Sequence, residues 1–376
     1  MANAEASRLH AIWQRFPLKT AHGWLNLLLI AVPAAFLLQW MHGPSFAIFI
    51  VAALAIAPLA GVLGEATSTL AAYAGPAVGG LLNATLGNAT ELIIAIFALR
   101  AGHISVVKAS LSGSIMGNLL LVLGLSLIAG GARRDFQRFS RAATSANSTM
   151  LMIATAALVM PAIFNLTVYG NLEHHANRQL ESLSLWTSGV LIVLYLANLL
   201  FVFKTHREVF HPPERKTETE TPGTSKAQAL MTLGVATGLI AILSEILVNQ
   251  IGPVTRALGM TEFFVGVVVV ALIGNSAENS TAILMARRNK MDLAMSVATG
   301  ASTQIALFVA PVLVFLSLAM GHPMTLLFNG FEIAGIFLSV LIVAMISADG
   351  ETHWFEGAQL LAVYAILAVA FYFVPE

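Results

Sequence analysis

Stretches of about twenty apolar residues recur along this chain from residue 22 to residue 374, and no other feature narrows its fold as far. A run of that length crosses the ~30 Å hydrocarbon core of a bilayer as a helix, the form that closes its own backbone hydrogen bonds where water cannot. Eleven are predicted, near 22–41, 46–63, 80–99, 106–129, 146–169, 183–203, 227–249, 261–286, 292–319, 324–347 and 356–374. With 57% of its 376 residues hydrophobic, 10% charged and a mean hydropathy of +0.82, the chain has too few charges to cover a water-facing surface. The expected class is an all-α membrane protein with a single transmembrane domain spanning 1–376.

The segment before the first run, "EASRLHAIWQRFPLKTAH", is too long and mixed for the charged start of a signal peptide, so the first helix is expected to be retained. The absence of cysteine excludes disulfides and thiolate metal sites. Orientation follows from the basic residues. With the N-terminus cytoplasmic, fifteen of the nineteen Lys and Arg fall inside, and only Arg100, Lys108, Arg178 and Arg256 fall outside. The C-terminus then lies on the opposite side, and the expected location is the cell (inner) membrane. Residues 204–226, "KTHREVFHPPERKTETETPGTSK", read as a cytoplasmic linker between two halves.

Those halves repeat. A shift of 187 residues lays Gly87-Asn88-Ala89-Thr90-Glu91 on Gly274-Asn275-Ser276-Ala277-Glu278, and without a gap also aligns Ala95 with Ala282, Arg100 with Arg287 and Gly113 with Gly300. The shift moves predicted helix three onto helix eight, and five crossings invert a helix in the membrane. The expected architecture is two inverted five-helix repeats, helices 2–6 within 46–203 and helices 7–11 within 227–374, plus an extra N-terminal helix. Inverted repeats of this kind typify secondary transporters, whose interrupted helices meet at the midplane.

Each repeat carries an acid inside an apolar run. A carboxylate in hydrocarbon costs at least ~2.5–3.5 kcal/mol, so Glu91 and Glu278 should face the interior and each other. With the amides of Asn88 and Asn275 and freed carbonyls they make an oxygen cage for a hard cation such as Ca²⁺. The following helices add polar atoms, among them Ser114 and Asn118 in one repeat and Ser302 and Gln304 in the other. Most membrane Ser and Thr serve packing, whereas Asn118 and Gln304 have carbonyl oxygens long enough to reach an ion. Two carboxylates balance one divalent cation or two protons, and that shared neutrality couples the two fluxes.

"GNATELIIAIFALRAGHISVVKASLSGSIMGNLLLVLGLSLIAGG" and "GNSAENSTAILMARRNKMDLAMSVATGASTQIALFVAPVL" strongly resemble the signature repeats of the cation/proton exchangers, the Ca²⁺/H⁺ antiporter branch of the calcium/cation antiporter superfamily. The resemblance reaches "PLAGVLGEATSTLA" and "SADGETHWFEGAQLLAVYAILA" and so covers nearly everything after about residue 45. It implies that Glu91 and Glu278 carry both Ca²⁺ and protons, that Gly87, Asn88 and Ala89 with Gly274, Asn275 and Ser276 supply carbonyls, and that Asn118 and Gln304 assist. No cofactor is implied, and no nucleic-acid partner. Two departures stand out: Asn279 follows Glu278 where the family usually has His, and Ala301 replaces a Ser. Asn cannot carry a proton near neutrality, so pH dependence or ion preference is expected to differ.

Other acids take other readings. Glu65 and Glu245, each in the helix before a signature repeat, are candidates for a gate or relay, or for helix ends at the interface. Glu332, Asp349, Glu351 and Glu356 read as surface charges, and Glu173, His174 and His175 as a solvated outer loop. The alternatives are a sodium-coupled Ca²⁺ or monovalent cation exchanger of the same superfamily, and a passive cation channel. No His-Glu-x-x-His or Gly-x-Ser-x-Gly motif supports an intramembrane hydrolase, so the chain is read as a transporter and not an enzyme.

Overall fold

The computed structural model describes residues 25–170, 178–205 and 224–374. The Glu173, His174 and His175 loop, most of the 204–226 linker and the basic residues before the first helix lie outside them. Described residues are mostly helical. In chain order the helices are α1 (Ala31–Trp40), α2 (Ser45–Ala74), α3 (Pro76–Leu86), α4 (Ala89–Arg100), α5 (Ile104–Gly131), α6 (Arg141–Tyr169) and α7 (Arg178–Thr205). After the linker come α8 (Lys226–Asn249), α9 (Ile251–Leu258), α10 (Glu262–Gly274), α11 (Ser276–Arg287), α12 (Met291–Ala319), α13 (Gly330–Ile346) and α14 (Trp354–Tyr372).

Seven of these, α2, α5, α6, α7, α8, α12 and α14, are long and apolar enough to cross a membrane, and the count rises to nine if each bent pair is one span. The pairs are α3 with α4, bent by 43°, and α9 with α10, bent by 116°. A bend of 116° reverses the chain, so we treat α9 as an end piece and not as half of a span. The predicted run 261–286 is broken at Asn275, where α10 stops and α11 starts. Glycine and proline punctuate the turn after α2: Gly75 ends the helix at φ +79°, a conformation open to residues lacking Cβ, and Pro76 begins α3 with a preset φ.

The core is where helices from the two halves pack. α2 lies along α8, α4 on α8, α11 on α2, α6 on α12 and α13 on α5. At one end the loop after α5 is tied to two others. Gln137 and Arg138 form a two-residue antiparallel ladder with Thr352 and Glu351, Gln137 Nε2 donates to Ala286 O and Asn289 Oδ1 at 3.3 Å, and the Ser140 amide donates to the Asp292 carboxylate. At the other end His103, just before α5, meets Glu262, the first residue of α10, at 2.9 Å.

Glu332 is not a surface charge. It is 3% exposed and Lys108 6%. Lys108 Nζ donates to Leu327 O (2.9 Å) and Thr325 Oγ1 (3.3 Å), while the Glu332 carboxylate accepts from Ser112 Oγ and the Asn329 amide, both at 2.8 Å. A base and an acid are thus buried near each other where the 324–329 loop folds over α5, each acting on the other electrostatically. Removing one partner of a buried pair strands the other, at a cost of about 3–5 kcal/mol. Lys108→Met is therefore expected to lower the melting temperature of the purified protein sharply, and Lys108→Met/Glu332→Gln to recover most of the loss. Equal melting of single and double variants would show that the charges do not depend on each other.

Candidate cation site

Two helix breaks face each other at the centre of the fold. Asn88 (φ −95°, ψ 23°) separates α3 from α4, and Asn275 (φ −88°, ψ 11°) separates α10 from α11. Each leaves the helical region at the same motif position, and each is buried. Gly87, Ala89, Gly274 and Ser276 flank them. Glu91 and Glu278 then occupy the first turns of α4 and α11, where unpaired N–H groups and the helix dipole favour a negative charge.

The Glu91 side chain lies on the opposing break. A Cβ placed on Gly274 would stand 2.9 Å from Glu91 Cγ and 3.5 Å from its Cδ, a closeness only glycine allows. Both Glu91 carboxylate oxygens are buried, and neither has a hydrogen-bond partner from another residue among the described ones. Glu278 is near enough to act on that carboxylate electrostatically. Beside Glu91 is a cavity of about 10 Å³, lined by Glu91, Ser110 and Ser114 among apolar neighbours, with room for about one water.

The asparagines are held across the halves. Asn88 Nδ2 donates to Gln304 Oε1. Asn118 Nδ2 donates to Asn275 Oδ1 at 3.0 Å, and Asn275 Nδ2 donates to Ser114 Oγ at 2.7 Å and Ala271 O at 2.8 Å. These bonds fix the breaks and leave Asn88 Oδ1 buried without a hydrogen-bond partner among the described residues. Both crossing helices widen into a π turn at this level, α5 over Gly117–Val122 and α12 over Ile305–Val309, which re-aims side chains inward.

Not every expected residue joins the cluster. Ser302 Oγ donates within its own helix to Ala298 O (2.9 Å) and stands 3.4 Å from Ile115 O. Ser276 Oγ is 3.5 Å from Ala57 O of α2. Glu65 and Glu245 lie on exposed faces of α2 and α8. Asn279, next to Glu278 in the chain, has a buried Oδ1 with no hydrogen-bond partner among the described residues. The Lys108 and Glu332 cluster escaped the sequence reading because its members are about 220 residues apart.

Membrane-length helices from two halves, interrupted at facing breaks with an acid at each, are the form of an ion transporter. The chain belongs to the sodium/calcium exchanger protein family, whose pattern matches residues 44–204 and 228–373. It is 44% identical to a Ca²⁺/H⁺ antiporter of Aphanothece halophytica, covering 93% of this chain and 96% of that one. It is 42% identical to the Ca²⁺/H⁺ antiporter ChaA of Bacillus subtilis, covering 92% and 97%. Among solved structures, native YfkE superposes with a TM-score of 0.80 at 39% identity, covering 93% of this chain and all of that one. The H⁺/Ca²⁺ exchanger CAX shares the fold, with a TM-score of 0.70 at 14% identity over 94% of this chain and 92% of that one.

Proposed function

We propose that this protein is a secondary antiporter that exchanges Ca²⁺ for H⁺ across a membrane by alternating access, with Glu91 and Glu278 carrying both ions. The observation that carries this reading is the Glu91 carboxylate, buried, lacking a partner from any other described residue, and pressed on the opposing helix break beside Glu278. A charge so placed calls for a proton or a cation. The relatives named as Ca²⁺/H⁺ antiporters support the choice of ions.

Ca²⁺ is cargo here and no resident cofactor takes part. The oxygens offered to it are the two carboxylates, the free Asn88 Oδ1 and carbonyls at Gly87, Ala89, Gly274 and Ser276, while Asn118, Ser114 and Gln304 hold the asparagines. Two protons neutralise the same carboxylates. Loaded with either cargo the site is neutral and can change its exposure; empty, it is doubly negative and resists doing so. Each pH unit of gradient then supplies ~1.36 kcal/mol per proton.

The same reading gives one transmembrane domain of eleven spans, with α3 and α4 as the third and α10 and α11 as the eighth. Packing in matched pairs, α4 on α8 with α11 on α2 and α6 on α12 with α13 on α5, supports two inverted repeats at the 187-residue offset. The N-terminus is cytoplasmic and the C-terminus lies opposite. Reporter fusions are expected to place the two termini in different compartments, and both in one would refute an odd number of spans.

Flux in vesicles tests the function. With purified protein, an acidic interior and no sodium, external Ca²⁺ is expected to enter while the interior turns alkaline. Dissipating the pH gradient should stop accumulation, and a Na⁺ gradient at matched pH should not restore it. Uptake that ignores pH and follows Na⁺ would assign the chain to sodium coupling, and Ca²⁺ leak without counterflux would make it a channel.

A further inference from the structure

Under the inverted-repeat reading, every contact between the halves has a counterpart 187 residues away, and one such contact is made at only one of its two places. At the His103 end, α5 and α10 touch backbone to backbone. A Cβ on Gly113 would stand 2.0 Å from Val267 O and 2.7 Å from its Cα; one on Gly266 would stand 2.7 Å from Ala109 Cβ and 2.8 Å from Val106 O. Val106, Ala109 and Gly113 are buried under this seam.

The 187-residue shift carries Gly113 to Gly300, Val267 to Gly80, Gly266 to Gly79, and Val106 and Ala109 to Leu293 and Ser296. None of these meet. A Cβ on Gly300 would find nothing within 4 Å, Gly80 lies against the Phe203 ring (2.3 Å), and Gly79 against Ala71 O (2.2 Å). Leu293 is 47% exposed and Ser296 is exposed, so the face of α12 that leads inward to Gln304 is uncovered. Among the described residues α3 makes no packing on α12 comparable to that of α10 on α5.

We propose that Gly300 is a positioning residue for the change of exposure: in the opposite-facing state α3 leaves Phe203 and docks Gly80 on Gly300, as Val267 docks on Gly113 here. The structure is then the state closed at the His103 end and open at the end bearing Asp292 and the Gln137 ladder. Gly300 must lack a side chain in the state not seen. A bulkier residue fits the open face and blocks the other seam, so it traps the protein facing one way without touching the carboxylates.

The chain has no cysteine, so a single Leu293→Cys reporter reads this face with a membrane-impermeant maleimide on detergent-purified protein. Leu293 should be reachable in this state and covered in the other. Gly300→Ala and Gly300→Val are expected to lower Ca²⁺/H⁺ exchange progressively, the Val variant at least tenfold. Both should still bind ⁴⁵Ca²⁺, and with Gly300→Val the reporter should label fully at any pH or Ca²⁺ concentration, whereas in the Gly300 background labelling should vary with both. Gly189→Val, in open space on α7, should exchange normally. Wild-type exchange by Gly300→Val, or a reporter that still responds to Ca²⁺ and pH in that variant, would overturn the seam. The proposal rests on the antiporter reading but fails separately: unmodified protein that moves no protons against Ca²⁺ would end that reading, while the labelling contrast still judges Gly300.

Discussion

Glu91→Gln and Glu278→Gln are each expected to bring Ca²⁺/H⁺ exchange down to the background of empty vesicles while the protein stays folded. Gln keeps the shape of Glu and removes its charge, so one carboxylate remains and a bound Ca²⁺ leaves a net positive site. At position 91 both oxygens are buried without a partner from another described residue, so a neutral amide removes a buried acid and the fold is expected to be kept. Ca²⁺ should no longer raise the melting temperature of either variant, as it must for any ligand bound to the native state. Either single variant transporting Ca²⁺ near the wild-type rate would falsify the shared site.

Gly274→Ala carries the second large effect, and its cause is steric. The added methyl would press on Glu91 Cγ and Cδ, the far part of a flexible side chain, so the backbone need not shift and the fold is retained. The carboxylate, however, must move away from the opposing break. A ligand displaced from an ion weakens binding, and the concentration of Ca²⁺ for half-maximal exchange is expected to rise about tenfold, or ~1.4 kcal/mol. Gly234→Ala, where the methyl meets nothing, should leave it unchanged. An unaltered half-saturation in Gly274→Ala would show that Glu91 does not need its present place.

Much of this arrangement was legible in the order of residues. The apolar runs announced a mostly helical membrane protein, though seven to nine helices of the eleven expected are long and apolar enough to cross, and the 187-residue offset pointed to Glu91 and Glu278, which lie near each other. What stayed hidden depends on distance or on state. Glu332 looked like a helix-start surface acid because it forms a capping box with Asn329, an ordinary surface signal, and only the fold brings Lys108 and Ser112 to it from some 220 residues away. Hydropathy alone ran straight across the break at Asn275, which only the Gly274-Asn275 motif signalled. The difference between Gly113 and Gly300 could not be read at all: both are glycine at the same position of the 187-residue offset, and only a particular conformation tells them apart.

The contact between Ser302 Oγ and Ile115 O joins two positions separated by the same 187 residues as the signature motifs. In an inverted repeat, a position that touches its own counterpart sits on the symmetry axis, and both facing states surround it alike. Energy added or removed there moves the two states together. Under the proposed inverted repeat, substitutions at this crossing are expected to change the height of the barrier between the two states, and so the rate of turnover, more than the ratio of the states.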